Sequence, residues 1–258
     1  MSKDTGTTIY LTMKTFTKKP SPSISRIWTL SVLILTLLFS GCATVNEDYR
    51  DPRDPYEGFN RTMYNFNEGL DDYVLKPLGR GYKAITPVPV DNGITNFFAN
   101  IGDVVSAVNN LLQFKLTRAA SDVSRIAINT TLGLLGFVDV ASNMNIPKYD
   151  EDFGQTLGYW GIDPGPYIVL PFFGPSSGRD AVGVVVDWYT DPVTYLDPDS
   201  HMWITKTIRY VDLRADLLGA SNILEQAALD PYEFVRDAYM QKRQNDVFDG
   251  NPPLEENF

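Results

Sequence analysis

The sequence has one cysteine and one histidine in 258 residues, and fewer bases than acids, with 22 Lys and Arg against 32 Asp and Glu. One cysteine excludes a disulfide framework, and one Cys with one His leaves too few ligands for a zinc site of those residues. The formal charge of −10 argues against a nucleic-acid partner, because phosphate binding needs a basic face. The hydrophobic fraction of 43% excludes a disordered chain. We therefore expect a folded protein without metal or cofactor.

An apolar run near the N-terminus is too short to cross a bilayer. It covers residues 27–39, whereas a spanning helix needs about 20 apolar residues. Basic residues precede it, and two small residues and Cys42 follow it. This pattern is typical of a lipoprotein signal peptide, so residues 1–41 are predicted to be removed and Cys42 to be acylated. The alternative is a signal anchor or a buried helix with an incidental cysteine, and translation could begin at Met1 or Met13.

The charge of the chain changes when the predicted signal peptide is removed. Five of the basic residues and one of the acidic residues lie in it, which leaves 17 and 31 and a net charge of −14. Anionic headgroups would not hold such a chain, so membrane residence must depend on acyl chains or apolar protein surface. The residue after the cysteine is Ala43 and not Asp, which favours the outer membrane over retention at the inner one.

The rest of the chain divides into three parts. Residues 42–55 are polar and contain two Asp-Pro pairs, so they are predicted to form the acylated N-terminus and an extended tether. Residues 56–243 have the apolar spacing of helices and form the predicted domain. Residues 244–258 are polar, contain proline and are predicted to be a flexible tail.

Within the domain, apolar residues recur at helical spacing between glycines and prolines. The spacing predicts a helix over residues 57–75, an irregular connection over residues 76–89 because of its Pro and Gly content, and a long helix from Asp91, as N-cap, to Leu112. Further helices are predicted over residues 117–131, 179–190, 202–218 and 230–243. Asp230 is the expected N-cap of the last of these. The predicted fold class is therefore all-α, as a single domain of amphipathic helices.

The predicted long helix has an unusual polar face. Opposite its apolar residues lie Asn100, Asp103, Asn109 and Asn110, whereas a helix on a soluble surface usually carries Lys and Glu there. Two interpretations remain open. The helix could be an ordinary member of a soluble bundle, or its polar face could pack against protein or a confined aqueous space.

Residues 153–178 combine many glycines and prolines with Tyr, Trp, Ile, Val, Leu and Phe. Such a segment cannot form a long helix or a regular central strand. Because it is so apolar, it is either a buried irregular connection or a loop that contacts something apolar.

Several sequence blocks together resemble one known family. Residues 54–67 read DPYEGFNRTMYNFN, which resembles the opening signature of the MlaA/VacJ family of outer-membrane lipoproteins. The other blocks that match this family are residues 136–141, 153–158, 165–174, 230–232 and 236–239. The likeness covers roughly residues 51–243, and such ordered blocks are more specific than a single short motif.

The resemblance implies a mostly helical, ring-shaped domain embedded in the inner leaflet of the outer membrane and bound to trimeric porins. Phospholipids misplaced in the outer leaflet would pass through an amphipathic channel in the ring. A soluble periplasmic lipid carrier would take them to an inner-membrane ABC transporter, which maintains lipid asymmetry. The identity of the porin, the preferred headgroup and the direction of flow do not follow from the sequence.

The resemblance also suggests site residues. Asn65 and Phe66, in the first block, are expected to hold the ring, and a Gly/Pro-rich apolar hairpin loop is expected to control channel opening, since glycines can absorb the changes in backbone angle. The candidate loop and channel residues are Gly161, Gly165, Tyr167 and Phe137.

Two other functions compete with transport. Residues 174–178 match the G-x-S-x-G pattern of a hydrolase nucleophile, which would make Ser176 and His201 the catalytic pair of a lipid esterase. The histidine follows too soon for that fold and no β-α-β alternation surrounds the motif, so we expect no enzyme. The other competitor is a structural lipoprotein that binds a porin without moving lipid.

Overall fold

The structure, a computed structural model, describes residues 51–221 and 228–253. The predicted signal peptide, Cys42 and residues 43–50 lie outside the described residues. Contacts divide the chain into Met1–Ala43 and Thr44–Phe258, and the fold below is that of the second unit.

Helices make up most of the described chain, which confirms the predicted all-α class. The described α-helices are α1 (Glu57–Leu70), α2 (Lys76–Ile85), α3 (Val88–Leu112), α4 (Leu116–Thr131), α5 (Val140–Asn143), α6 (Phe153–Tyr159), α7 (Gly178–Thr190), α8 (Asp199–Asp216) and α9 (Pro231–Val247). A π-helical turn over Asp71–Leu75 joins α1 to α2, and a 3-10 helix over Pro192–Tyr195 follows α7. The strands β1 (Tyr167–Leu170) and β2 (Gly174–Ser177) form one antiparallel hairpin.

Helix α2 corrects the prediction of an irregular connection over residues 76–89. Pro77 lies in the first turn of the helix, where its missing N–H has no partner to lose. Gly79 permits a close helix contact, because a Cβ at this position would lie 3.3 Å from the Cα of Ala215 in α8. Glycine here serves packing between helices and does not end one.

The start of α3 also differs from the prediction. The helix begins at Val88 after Pro87, so Asp91 is not its N-cap. Asp91 is buried, and its Oδ2 lies 2.6 Å from the Nζ of Lys83 in α2. The carboxylate therefore joins two helices and still lies in the positive first turn of α3.

Both ends of the domain extend beyond the predicted boundaries. Asp54 is 1% exposed, and its Oδ2 accepts a hydrogen bond from the hydroxyl of Tyr232 at 2.5 Å. Residues 51–55 are therefore held by the domain and are not an extended tether. Helix α9 continues to Val247, past the predicted end at residue 243. Its predicted cap is confirmed, because Asp230 Oδ1 accepts the N–H of Tyr232 at 3.0 Å.

The hairpin supplies the apolar core of the domain. Tyr167 and Val169 of β1 are both 1% exposed and cluster with Met63 of α1 and Tyr232 of α9. At the turn, Phe172 and Phe173 are exposed instead. Residues 153–178 thus contain no long helix, as predicted, and the strand side chains are buried in the core, whereas contact of the turn with something apolar stays a prediction.

Candidate functional site

The central feature of the domain is a polar interior between α3 and α4. Asn100, Asp103, Asn109 and Asn110 of α3 are each buried, with exposed fractions of 6% or less. The side chains of α4 that face them are Asp122, Arg125 and Asn129, which are 2% exposed or less. The polar face of α3 therefore packs against protein, which is the second of the two interpretations left open by the sequence.

The apolar side chains of the same two helices lie on the outside. Leu111 is 51% exposed and Val108 is 37% exposed on α3, and Leu116 and Val123 of α4 are 65% and 54% exposed. This arrangement is the reverse of an amphipathic helix in a water-soluble bundle, which buries its apolar stripe. Large exposed apolar surfaces mark contacts with a membrane or another protein. Within the described residues, no helix is both long and apolar enough to cross a membrane.

Arg125 holds the polar interior together. Its guanidinium bonds Asp103 at 3.2 Å and Asp139 at 3.0 Å, and it also donates to Ser142 and to the carbonyl of Ile146. Burial opposes the charge of Asp139, but hydrogen bonds from Ser142 and Arg125 outweigh it and lower the pKa of Asp139 to about 2. Buried charges are stable when they are paired and hydrogen-bonded in this way.

Asp122 is the poorly compensated carboxylate of this interior. Burial raises its pKa to about 6, although the amide of Asn110 donates a hydrogen bond to its Oδ2 at 2.8 Å. The charge of Asp103 raises it further. A buried carboxylate with a raised pKa costs stability when it is ionised. Titratable groups with strongly shifted pKa values are common at functional sites.

Two asparagines of α1 hold the hairpin. The Asn60 amide donates to the carbonyl oxygen of Tyr167 at 3.0 Å and accepts the N–H of Val169 at 2.9 Å. About two helical turns later, Asn67 donates to the carbonyl oxygen of Leu170 at 2.9 Å and accepts the N–H of Phe172 at 2.8 Å. Each side-chain amide thus pairs with the strand backbone as a neighbouring strand would.

The two residues of α1 that are predicted to hold the ring, Asn65 and Phe66, lie between these asparagines in the sequence, and their role stays a prediction. Asn65 is exposed, and Phe66 is 46% exposed with its ring edge-on to that of Phe172 at 5.4 Å. The residues that bind the hairpin are Asn60 and Asn67. Their spacing of seven places them on one helical face, and this was the signal in the sequence that could have found them.

The predicted loop residues fall into two groups. Gly161 and Gly165 have left-handed φ angles of 86° and 67°, and a Cβ on either would meet nothing within 4 Å. Tyr167, by contrast, is buried in the apolar core at the base of the hairpin. Phe137 lies apart from them and stacks on Phe97 of α3 at 5.2 Å.

A cavity of about 650 Å³ opens beside α8, and we call it the α8 cavity. Its apolar lining residues are Val105, Phe173, Val184, Trp188, Tyr210 and Leu213. Its charged lining residues include Asp152, Asp187, Asp191, Lys206, Arg209 and Arg243. A lining with both kinds of side chain suits a molecule with a charged head and apolar chains.

Two cations of α8 face this cavity. The Nζ of Lys206 lies 3.3 Å from the ring centroid of Trp188 and 3.7 Å from Asp191, and burial lowers the pKa of Lys206. Arg209 bonds the same carboxylate at 3.2 Å. Asp191 is thus shared by two cations, while the whole lining carries six carboxylates and four cations, with Asp150, Glu151, Asp246 and Lys242 among them.

A second and larger cavity, of about 1640 Å³, lies along α9. It shares Arg243 with the α8 cavity. The Arg243 guanidinium bonds Asp152 at 2.6 Å and Asp180 at 2.9 Å. This cluster ties α9 to the first turns of α6 and α7 and lies where the two cavities meet.

The geometry gives the esterase hypothesis no support. Ser176 is 3% exposed within β2, and its hydroxyl donates to the carbonyl of Ser177 at 3.3 Å. His201 is exposed in the first turn of α8. In the part of the chain that the structure describes, no hydrogen bond joins the two residues, and no group of three or more Asp, Glu, His or Cys is placed to hold a metal ion.

Comparison with known proteins gives consistent matches over this domain. The family described as MlaA lipoprotein matches residues 52–246. The "Intermembrane phospholipid transport system lipoprotein MlaA" of Escherichia coli (strain K12) is 38% identical, over 83% of this chain and 86% of its own. The protein of the same name in Haemophilus influenzae is 36% identical, over 86% and 90%. A chain solved under the words "Structural basis for maintenance of bacterial outer membrane lipid asymmetry" matches with a TM-score of 0.65 and 35% identity, over 78% of this chain and 100% of that one.

Proposed function

Because the chain belongs to the MlaA lipoprotein family, we propose that it is a lipoprotein of the outer membrane that removes mislocalised phospholipids from the outer leaflet. The lipids pass through an amphipathic channel to a periplasmic lipid carrier, and the outer membrane keeps its lipid asymmetry. The protein is acylated at Cys42 and embedded from the periplasmic side as a ring bound to a trimeric porin. The carrier feeds an inner-membrane ABC transporter.

One observation supports this proposal most directly. Helices α3 and α4 bury Asn, Asp and Arg side chains and expose Leu and Val. A domain surrounded by acyl chains gains from this arrangement, because its apolar surface is removed from water there. The buried polar side chains bond one another between the two helices, so this observation supports contact with acyl chains, and the path for headgroups depends on a cavity instead.

The α8 cavity supports the amphipathic path. Lys206 and Arg209 offer positive charge for a phosphate, and Trp188 and Phe173 offer apolar surface for the chains. No covalent step is needed, because a lipid that leaves the wrong leaflet gains by entering a carrier or a proper bilayer. The protein only has to lower the barrier, which is a transport role and not an enzymatic one.

A cavity-filling variant with a matched control tests the path. Gly102 lines the α8 cavity, and its Cβ would lie 3.9 Å from the Nη2 of Arg209, in ordinary contact. Gly102→Phe therefore places a ring in the cavity without forcing the backbone. Gly81→Phe in α2 is the control, since a Cβ there meets nothing within 4 Å.

The assay is surface-exposed phospholipid in a strain that lacks the gene. We expect the deletion to raise it, wild type and Gly81→Phe to restore it, and Gly102→Phe to fail at a normal protein level. Full restoration by Gly102→Phe would reject the α8 cavity as the route, and an unchanged surface after deletion would reject transport. Ser176→Ala is expected to restore the low level of surface-exposed phospholipid fully. If it fails to do so at a normal protein level, the esterase hypothesis is supported again.

A further inference from the structure

Four large apolar residues adopt a backbone conformation that they normally avoid. Phe114, Leu134, Leu135 and Phe172 have φ angles of 59°, 54°, 62° and 68°. The left-handed region is strained for residues with a Cβ, and Gly, Asn and Asp are the usual occupants. The other non-glycine residues described with positive φ are Asn145 and Asp249, which follow the usual pattern. The four apolar residues need a separate explanation.

These residues are also among the most exposed apolar side chains of the domain. Phe114 is 81% exposed, Leu134 72%, Leu135 65% and Phe172 66%. They occupy three turns, after α3, after α4 and at the end of the hairpin. We call these turns the apolar tips. In water, such residues would combine backbone strain with unburied apolar surface, and Gly or Asn would be better at each position.

The apolar tips lie in stretches without charge. No Asp, Glu, Lys or Arg occurs in residues 104–114, 126–138 or 164–178. The backbone N–H groups of three of these residues are bonded within the protein. The N–H of Phe114 donates to Leu111, that of Leu135 to Thr130, and that of Phe172 to Asn67. Internal hydrogen bonding of the backbone is what a segment needs in a medium without water.

The spacing of two tips favours lipid over a protein partner. Phe114 and Leu134 lie at opposite ends of α4, whose 16 residues span about 24 Å. The exposed residues of α4 between them carry no charge; Leu116, Ala120, Val123 and Ala127 are apolar, and the others are Thr117, Ser124 and Thr131. A protein partner usually meets a polar rim and makes hydrogen bonds, whereas acyl chains need neither.

We propose that the apolar tips, Phe114, Leu134 with Leu135, and Phe172, enter the acyl region of a phospholipid leaflet and fix the depth of the domain in it. This inference rests on the membrane location in the proposed function and adds the residues that make the contact. Burial in acyl chains accounts for both properties of the tips, since it removes their apolar side chains from water and needs no polar turn residue.

Depth-dependent quenching tests the proposal in lipid alone. Bimane is attached to one introduced cysteine at a time, in Phe114→Cys, Leu135→Cys and Phe172→Cys. The acylated chain is used, because an acylated Cys42 has no free thiol that could react with the label. Gln241→Cys, exposed on α9, is the control. The vesicles contain phosphatidylethanolamine and phosphatidylglycerol with bromine on the acyl chains. We expect loss of most emission at the three tips and none at residue 241. Unquenched tips would overturn the proposal and favour a protein partner such as porin.

Polar substitution gives a second readout that misfolding cannot mimic. Leu134→Asn and Leu135→Asn keep a residue type that accepts left-handed backbone, so melting temperature is expected to stay the same or rise. In flotation with the same vesicles, using the Cys42→Ser chain, each is expected to weaken binding about tenfold. Phe234→Asn on α9, 50% exposed, is the control and should not change it.

The outcomes separate this inference from the proposed function. Unchanged flotation of both asparagine variants overturns the role of the tips, even if lipid removal in the deletion strain is normal. Quenched tips in a protein that does not restore surface lipid support the inference and reject transport.

Discussion

Two carboxylates of the polar interior, Asp122 and Asp139, should respond to neutralisation in opposite directions. Asp122 is fully buried and has a pKa of about 6, against an ordinary value of 3.8. Its Oδ1 has no hydrogen-bond partner among the described residues. Because the folded state binds this proton more tightly, the contribution of this carboxyl to stability is greatest below about pH 4 and is lost as the pH rises through about 6. Asp122→Asn keeps the shape and removes the charge, so it should stabilise the protein at pH 7.5 by about 1–3 kcal/mol.

Asp139 is the matched opposite. Its pKa is lowered to about 2, and its side chain is 29% exposed. A lowered pKa contributes stability above about pH 4, and this contribution is lost as the pH falls toward 2. Asp139→Asn preserves an acceptor for the N–H of Ser142 but removes the charge beside Arg125. It should destabilise the protein by about 1–2 kcal/mol at pH 7.5.

Thermal unfolding in detergent micelles, followed by circular dichroism, measures both effects. At pH 7.5 the melting temperature should rise for Asp122→Asn and fall for Asp139→Asn. At pH 4 the gain of Asp122→Asn should largely disappear, because the wild-type carboxyl is then protonated in the folded state. Shifts of the same sign, or a gain that does not depend on pH, would refute the assignment of Asp122 as a costly buried charge.

Three further predictions test the hairpin, a tight turn and the anchor. Asn60→Leu should lower stability by about 3 kcal/mol, because it leaves buried strand groups unpaired, whereas exposed Asn65→Leu should change the melting temperature little. Gly133→Ala should destabilise by about 1–3 kcal/mol, since its Cβ would lie 2.1 Å from a carbonyl oxygen. Gly69→Ala, with open space around it, should raise the melting temperature slightly, and equal effects would contradict the steric explanation. Cys42→Ser should abolish labelling by a palmitate analogue, and retained labelling would exclude Cys42 as the acylation site.

Regular helices were predictable from the sequence where local signals and spacing agree. The prediction for residues 117–131 is within one residue of α4, and Asp230 caps α9 as expected. Helix α2 was missed, because Pro and Gly were interpreted as breaks, whereas the π-helical turn over Asp71–Leu75 lies within the helix predicted over residues 57–75. Gly79 allows α2 to pack closely against α8. The spacing of residues within α2 does not show which helix packs against it.

The orientation of the helices was harder to predict than their position. Periodicity places Leu116 and Val123 on one face of α4 and Asp122 and Arg125 on the other, but it does not say which face is buried. Which face is buried depends on whether the helix is surrounded by water or by lipid, and the spacing of residues does not show this. The spacing of Asn60 and Asn67 places them on one helical face, but their partner, a strand about 100 residues later, could not be predicted because the pairing is a tertiary contact.

The outward apolar face of α3 and α4 would also affect how the chain behaves in water before it reaches a membrane. If the chain is the outer-membrane lipoprotein proposed above, it crosses water before it reaches that membrane. In water, exposed Leu111, Leu116 and Val123 favour association of copies of the chain. We therefore expect these faces to be covered during delivery, by an escort protein or by rapid insertion.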